Sequence, residues 1–414
     1  MATQDQQQQQ HEQHQRNGSK APAFVNGENP LNKLTPEQIE ELGKEFQKIH
    51  DDVYDDLGES DAVYIRSLIE FHRRLAVLSR IVLMASRYWP AWVLGTTGLS
   101  VAKILENMEI GHNVLHGQWD WMNDPAIHSS TWDWDTASPA SAWKHSHNYV
   151  HHTFTNIVGK DKDVGYEIMR IDPKQPWHPV YLAQPLYNIL LALFFEWGVA
   201  VHDLDFEAIR KGEKPKKQVR DELRAIGLKA RRQIVKDYVA FPALSGKHWR
   251  KTLYANLTAN FVRNVWSYAI IFCGHFPDQT YTFAEEEAVD ESRGAWYVRQ
   301  LIGAANIDGS PTFHVMSGNL SYQVEHHLYP DMPSSRYAQI APKVKAVCER
   351  YGLPYNTGPF RKQLGSVQRT ILRLAFPGGR PRPKPGPYRR PPEPPAAEQA
   401  QNGNGKAEGL PAFP

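Results

Sequence analysis

The apolar windows along the chain are uneven, and the longest of them set the first expectation. Residues 175–195, QPWHPVYLAQPLYNILLALFF, run for 21 residues without Asp, Glu, Lys or Arg, close to the roughly 20 that a helix needs to cross a bilayer core. Residues 252–277 are similar and are broken only by Arg263. Residues 75–102 are apolar but carry Arg80 and Arg87, with Trp89 and Trp92 nearby. They suit an interfacial helix leading into a crossing one. The windows therefore predict a helical membrane protein, against the alternative of buried helices in a large soluble one.

Polar stretches frame these windows. Residues 210–236 hold eleven Lys or Arg against three Asp or Glu, so the positive-inside rule puts this connection on the cytoplasmic side. Spans in pairs would leave both tails there as well. A solvated helix face is the simpler reading of the same run. Gln dominates residues 4–15, and residues 376–414 contain eleven Pro and six Gly; neither composition can bury enough apolar surface to order itself. The division expected is a disordered Gln/His-rich tail at 1–34, one folded domain at 35–375 and a disordered Pro/Gly-rich tail at 376–414.

Composition changes this picture little. The mean hydropathy of −0.54 is diluted by the tails and the charged middle. A formal net charge of +2 gives no reason to expect a nucleic-acid partner. Two cysteines, Cys273 and Cys348, form no C-x-x-C pair, which excludes a disulfide framework and points to a reducing compartment.

The histidines carry the chemistry. His112 and His116 stand four apart in GHNVLHGQWDW, so on a helix they share a face. In WKHSHNYVHHTFTN, His147 and His151 repeat that spacing and His152 follows directly. In SYQVEHHLYPDMP, Gln323 precedes the adjacent pair His326 and His327 by three. Adjacent imidazoles are costly to bury unless something uses them. Seven candidate ligands exceed the three or four of a mononuclear zinc site. Without thiolates, a pair of redox-active irons is the natural occupant.

The order of these three motifs resembles the membrane fatty acid desaturase family over about residues 90–345. The finer pattern, HNYVHHTFTN, GKDKDVGY and GNLSYQVEHHLYPDMPSSRY, is similar to the front-end and the actinobacterial or cyanobacterial acyl desaturases. The resemblance implies an all-α fold: an integral membrane bundle of about four transmembrane helices, with a cytoplasmic helical cap carrying the histidine boxes. It implies two non-haem irons held by His112, His116, His147, His151, His152, His326 and His327. One further ligand is implied, most closely matched by His275 in IIFCGHFPD. Gln323 stands where many relatives have His and front-end enzymes have Gln; it either binds iron or orients a ligand.

The activity implied is O2-dependent insertion of a cis double bond into a fatty acyl-CoA or acyl-lipid in the membrane. Neither G-x-G-x-x-G after a strand, nor an iron–sulfur cysteine set, nor H-P-G-G is present, so electrons are expected from an external ferredoxin or cytochrome b5 and its reductase. The basic run 210–236 could dock that carrier or anionic lipid. Two other readings remain: a di-iron acyl hydroxylase, and a histidine-rich membrane metal transporter. The transporter would place ionisable residues inside the spans. Asp161 and Asp163 could hydrogen-bond ligand imidazoles and fix their tautomers, but are read first as solvated loop charges; His145 is read as a neighbour of the ligands, and His314 has no visible partner. Trp119, Trp121, Trp132 and Trp134 suit an acyl tunnel or an interface belt.

Overall fold

The computed structural model describes residues 29–378 and 384–390. Of the tails expected at 1–34 and 376–414, residues 1–28, 379–383 and 391–414 lie outside the described residues. Helix α1 (Pro36–Tyr54) starts at a capping box between Thr35 and Gln38 with Pro36 in its first turn. Its buried stripe, Leu42, Phe46, Ile49 and Val53, follows the helical period. Helices α2 (Glu59–Met84) and α3 (Trp89–Leu105) form a long antiparallel hairpin. Past α3 the chain keeps coiling but widens to π geometry over Glu106–His112, then closes with Asn113–Leu115. A second π segment, Lys144–His151, carries the middle histidine cluster. Such wide turns recur at functional sites in other proteins.

The apolar window at 175–195 is broken in space. It forms a 3-10 turn at Pro179–Ala183, then α4 (Gln184–Leu193), and Phe194 at φ −116° and ψ 31° separates that helix from α5 (Phe195–His202). The basic stretch forms α6 (Lys216–Ile234). Helix α7 (Trp249–His275) has 27 residues, about 40 Å of rise. However, it buries Asn256, Asn260, Arg263 and Asn264 in its middle. Arg263 pairs there with the buried Glu196. Among the described residues no helix is long and apolar enough to cross a membrane. The expectation of about four spanning helices is corrected on this point: the Phe194 break shortens one window, and amides with an ion pair interrupt the other.

Further elements include α8 (Arg293–Gly303), strand β1 (Asn306–Asp308), α9 (Gln323–Leu328), α10 (Tyr337–Tyr351), strand β2 (Thr357–Pro359) and α11 (Phe360–Leu374). The strands pair in parallel, with Asn306 opposite Thr357. The fold is otherwise helical, as expected. The largest apolar core joins α1, α8, α9 and α10 through Leu42, Phe46, Leu301, Leu328 and Tyr337. Part of the expected Pro/Gly-rich tail rests on this body. Lys384 donates to the carbonyls of Asp278 and Thr280, and the Tyr388 N–H donates to the Leu353 carbonyl at 2.9 Å.

The outer surface carries large apolar side chains on neighbouring elements. Val77, Leu78, Ile81 and Met84 on α2 are exposed, as are Trp89, Val93 and Leu94 on α3. Leu186, Ile189 and Leu190 on α4 are exposed too, with Phe194 just past its end, and so are Tyr254, Val262 and Val265 on α7. Single exposed hydrophobics are ordinary in soluble proteins, but rows of them on adjoining helices mark a surface meant for an apolar partner.

Candidate metal centre

Four segments far apart in sequence bring their imidazoles to one buried place. The candidate ligand atoms of His112, His116, His147 and His326 lie within 4.8 Å of one another, as do those of His151, His275 and His327. His152 stands between the two groups, its ring 4.8 Å from His116, 4.9 Å from His326 and 4.5 Å from His327. Backbone packing fixes the approach. Gly318, at φ +72°, has no room for a side chain, because a Cβ there would sit 2.7 Å from the Met108 backbone. The Asn113 amide donates to the carbonyls of Glu109 and Gly318, tying the first π segment to the turn before α9.

Hydrogen bonds decide which ring nitrogen faces inward. The Nδ1 atoms of His112, His151 and His327 meet acceptors: Asn113 Oδ1 at 3.0 Å, Asp161 Oδ2 at 3.0 Å and Gln300 Oε1 at 2.9 Å. His326 Nδ1 lies 3.1 Å from the Tyr337 hydroxyl. That hydroxyl already donates to the Tyr329 carbonyl, so it accepts from His326. With the proton on Nδ1, each Nε2 keeps its lone pair. The Nε2 atoms of His116, His147, His151, His152 and His326 are buried without a hydrogen-bond partner, as is Gln323 Oε1. Buried polar atoms are seldom left so.

The spacing between these atoms fits a metal. His275 Nε2 lies 3.3 Å from His327 Nε2 and 3.0 Å from Gln323 Nε2. Ligands held at about 2.1 Å by one ion stand about 3 Å apart. Turned over, the Gln323 amide would offer its oxygen to the same point. A neutral nitrogen-rich donor set suits iron, copper or zinc, and two groups suit two ions. Electrostatics keeps most of the set neutral: burial and the nearby His147 push His112 down to about 3. His151 differs. Burial opposes its charge, but the Asp161 and Asp163 carboxylates prevail and raise it to about 8.

All nine residues expected at the centre therefore converge, including His275 at the end of α7. Asp161 and Asp163 are not solvated loop charges. Asp161 is buried against His151, and Asp163 Oδ2 faces His147 Nδ1 at 3.5 Å and His151 Nδ1 at 3.6 Å. His145 lies outside the cluster, exposed against Tyr149. His314 has a partner, the Ser321 hydroxyl at 2.6 Å. Gln300, Tyr337 and Asn113 had no sequence signal, since each acts through a contact that only the fold creates.

A cavity opens onto the cluster beside His112, His147, His275 and Gln323, and its lining includes Phe195, Val199 and Ile271. Trp134 lines it as well, whereas Trp119 is packed in the core against Ile65. An apolar chamber with metal-binding groups at one wall suits an alkyl chain presented to a metal.

The fatty acid desaturase family model matches residues 87–359. The chain belongs to the fatty acid desaturase family. It is thus an oxidoreductase of lipid metabolism. It is 49% identical to the NADPH-dependent stearoyl-CoA 9-desaturase of Mycobacterium tuberculosis over 348 residues, 83% of this chain and 82% of that protein. It is 26% identical to the sn-1 linoleoyl-lipid 6-desaturase of Synechocystis sp., over 70% of this chain and 82% of that one. Fatty acid desaturase 3 of Bos taurus is 24% identical over 70% of this chain and 63% of its own.

Proposed function

We propose that this desaturase inserts a cis double bond at carbon 9 of a saturated long-chain acyl-CoA, using two irons, O2 and electrons from an external carrier. The observation that carries the metal reading is the set of inward, partnerless Nε2 atoms of His147, His151 and His326, whose Nδ1 atoms face Asp163, Asp161 and the Tyr337 hydroxyl. The regiochemistry and the CoA form rest on the similarity to the mycobacterial 9-desaturase, nearly twice as identical as the cyanobacterial 6-desaturase.

His112, His116, His147 and His326 would hold one iron, and His151, His275 and His327 the other. His152 stands between them, and Gln323 completes the second set or orients it. Such a pair, when bound, supplies the activation of O2 needed to remove hydrogen from an unactivated methylene. The chain's own residues orient and exclude water. Phe195, Val199 and Ile271 give the alkyl chain a dry channel, and its depth selects which methylene pair lies against the histidines. Each turnover takes two electrons and two protons with O2, releases two waters and removes two hydrogens from adjacent carbons. NADPH, named for the mycobacterial relative, is the ultimate donor proposed here, acting through a separate ferredoxin or cytochrome b5 and its reductase.

The apolar surface of α2, α3, α4 and α7 supports seating in a lipid bilayer. The exposed face of α6 alternates Arg220, Arg224 and Arg231 with Leu223 and Leu228, as an interfacial helix does. Expression in a host lacking the activity, followed by mass spectrometry that locates the double bond, tests the proposal. A product unsaturated at carbon 9 is expected; a hydroxylated chain, or a bond nearer the carboxyl end, overturns it.

A further inference from the structure

Helix α5 ends on a histidine that belongs to none of the three motifs. His202 is 8% exposed, and its Nε2 lies 3.1 Å from Asp163 Oδ1. The other oxygen of Asp163 faces the Nδ1 atoms of His147 and His151 at 3.5 and 3.6 Å. One carboxylate thus meets three imidazoles, two from the candidate centre and one from outside it. The His202 ring is packed 5.2 Å from Tyr166, which limits its rotation. His202 also forms part of the wall between the active cavity and a polar cleft lined by Lys162, Asp205 and Lys214.

A carboxylate can rotate about its own bonds. Asp163 follows Asp161 in a short loop, where its N–H donates to Asp161 Oδ1 at 3.0 Å. That bond fixes its backbone and leaves its side chain free to turn. A donor on Oδ1 removes the freedom. With Nε2–H of His202 on one oxygen, the other is held against His147 Nδ1, which keeps that proton in place and the His147 Nε2 inward, while its charge adds to that of Asp161 beside the His151 Nδ1.

We propose that His202 is a positioning residue for the metal centre, acting through Asp163 on the two histidines that serve different metal groups. This rests on the metal reading above. It also links α5, whose Phe195 and Val199 line the substrate cavity, to the orientation of the middle histidine box.

The test compares the purified full-length chain with His202→Leu, which has no donor, and His202→Gln, whose amide N–H can reach Asp163. The readouts are iron affinity, the visible spectrum of the Co2+-loaded protein, and the unfolding temperature. His202→Leu is expected to bind iron at least about 10-fold more weakly with an altered Co2+ spectrum, and His202→Gln to restore both. Wild-type affinity in His202→Leu overturns the proposal. So does a defect in His202→Gln equal to that of the leucine variant, since side-chain shape rather than the hydrogen bond would then matter. If His202→Leu does not fold, His202→Gln against wild type decides by its Co2+ spectrum: unchanged bands uphold the proposal, and shifted bands overturn it. A wild-type chain that binds neither metal would instead refute the underlying metal reading.

Discussion

Gln323 and His275, 48 residues apart in the chain, bring their Nε2 atoms to 3.0 Å at the second metal group. The contact depends on Gly274, where a Cβ would sit 2.8 Å from Gln323 Cδ. Gly274→Ala must therefore displace the amide. Bound iron is expected to fall with the fold retained, which metal analysis beside a circular-dichroism melt will show. Full iron occupancy in this variant would remove Gln323 from the centre.

The buried pair Asp161 and His151 gives a second expectation. Asp161→Asn keeps the volume but loses the charge that fixes the His151 proton. Iron affinity should drop about 10- to 100-fold. His151→Ala should abolish product outright and lower iron content. An unchanged iron stoichiometry in His151→Ala, measured by atomic absorption, would contradict its place in the second group.

Stability should depend on pH through Glu109. It is buried within the first π segment, and burial raises its pKa to about 7 despite hydrogen bonds from Ser334, Tyr64 and Asn319. A carboxyl with a raised folded-state pKa binds its proton more tightly folded than unfolded. Its contribution is therefore complete below the unfolded value of 4.5 and is lost as pH rises through about 7. Over that window the slope is at most about 1.4 kcal/mol per pH unit. In Glu109→Gln the fall of stability between pH 5 and 7 should be shallower than in wild type, read from denaturant melts at each pH. Parallel curves would rule out this source.

The exposed side chains of α4, and Phe194 just past its end, can be tested by fractionation. Each large apolar group buried in lipid contributes about 1.5–3 kcal/mol. Leu186→Ser, Ile189→Ser and Phe194→Ser together should move much of the chain from the membrane pellet to a carbonate-soluble fraction. Retention of all three substitutions in the pellet would mean that lipid does not cover this helix.

The centre was legible because imidazole clusters have few other uses. His112, His116, His147, His151, His152, His326 and His327 could be assembled from spacing alone, whereas His275 came only through resemblance. Asp161 and Asp163 were visible but ambiguous, since a carboxylate in a charged loop looks the same whether solvated or buried against a ring. His202 gave no signal, because its partner lies 39 residues away and across a break between helices. The apolar windows misled for a related reason. Hydropathy counts residue types and does not see that Phe194 interrupts the coil, or that Arg263 finds Glu196 inside the bundle. The Lys384–Arg390 stretch has a disorder-prone composition, yet a few backbone bonds and Tyr388 against Tyr355 suffice to hold it.

The two π segments give the centre an unequal tolerance for change. Each coils more widely than the α turns that follow it, so the positions of His112 and His151 depend on how many residues precede them. Loss of one residue from either segment would let it relax to ordinary α geometry and swing every later side chain by about 100°. Length here is therefore a stricter inheritance than identity: a lineage can repaint the walls of the chamber, but a single codon dropped within these wide turns would unthread the ligand set at once.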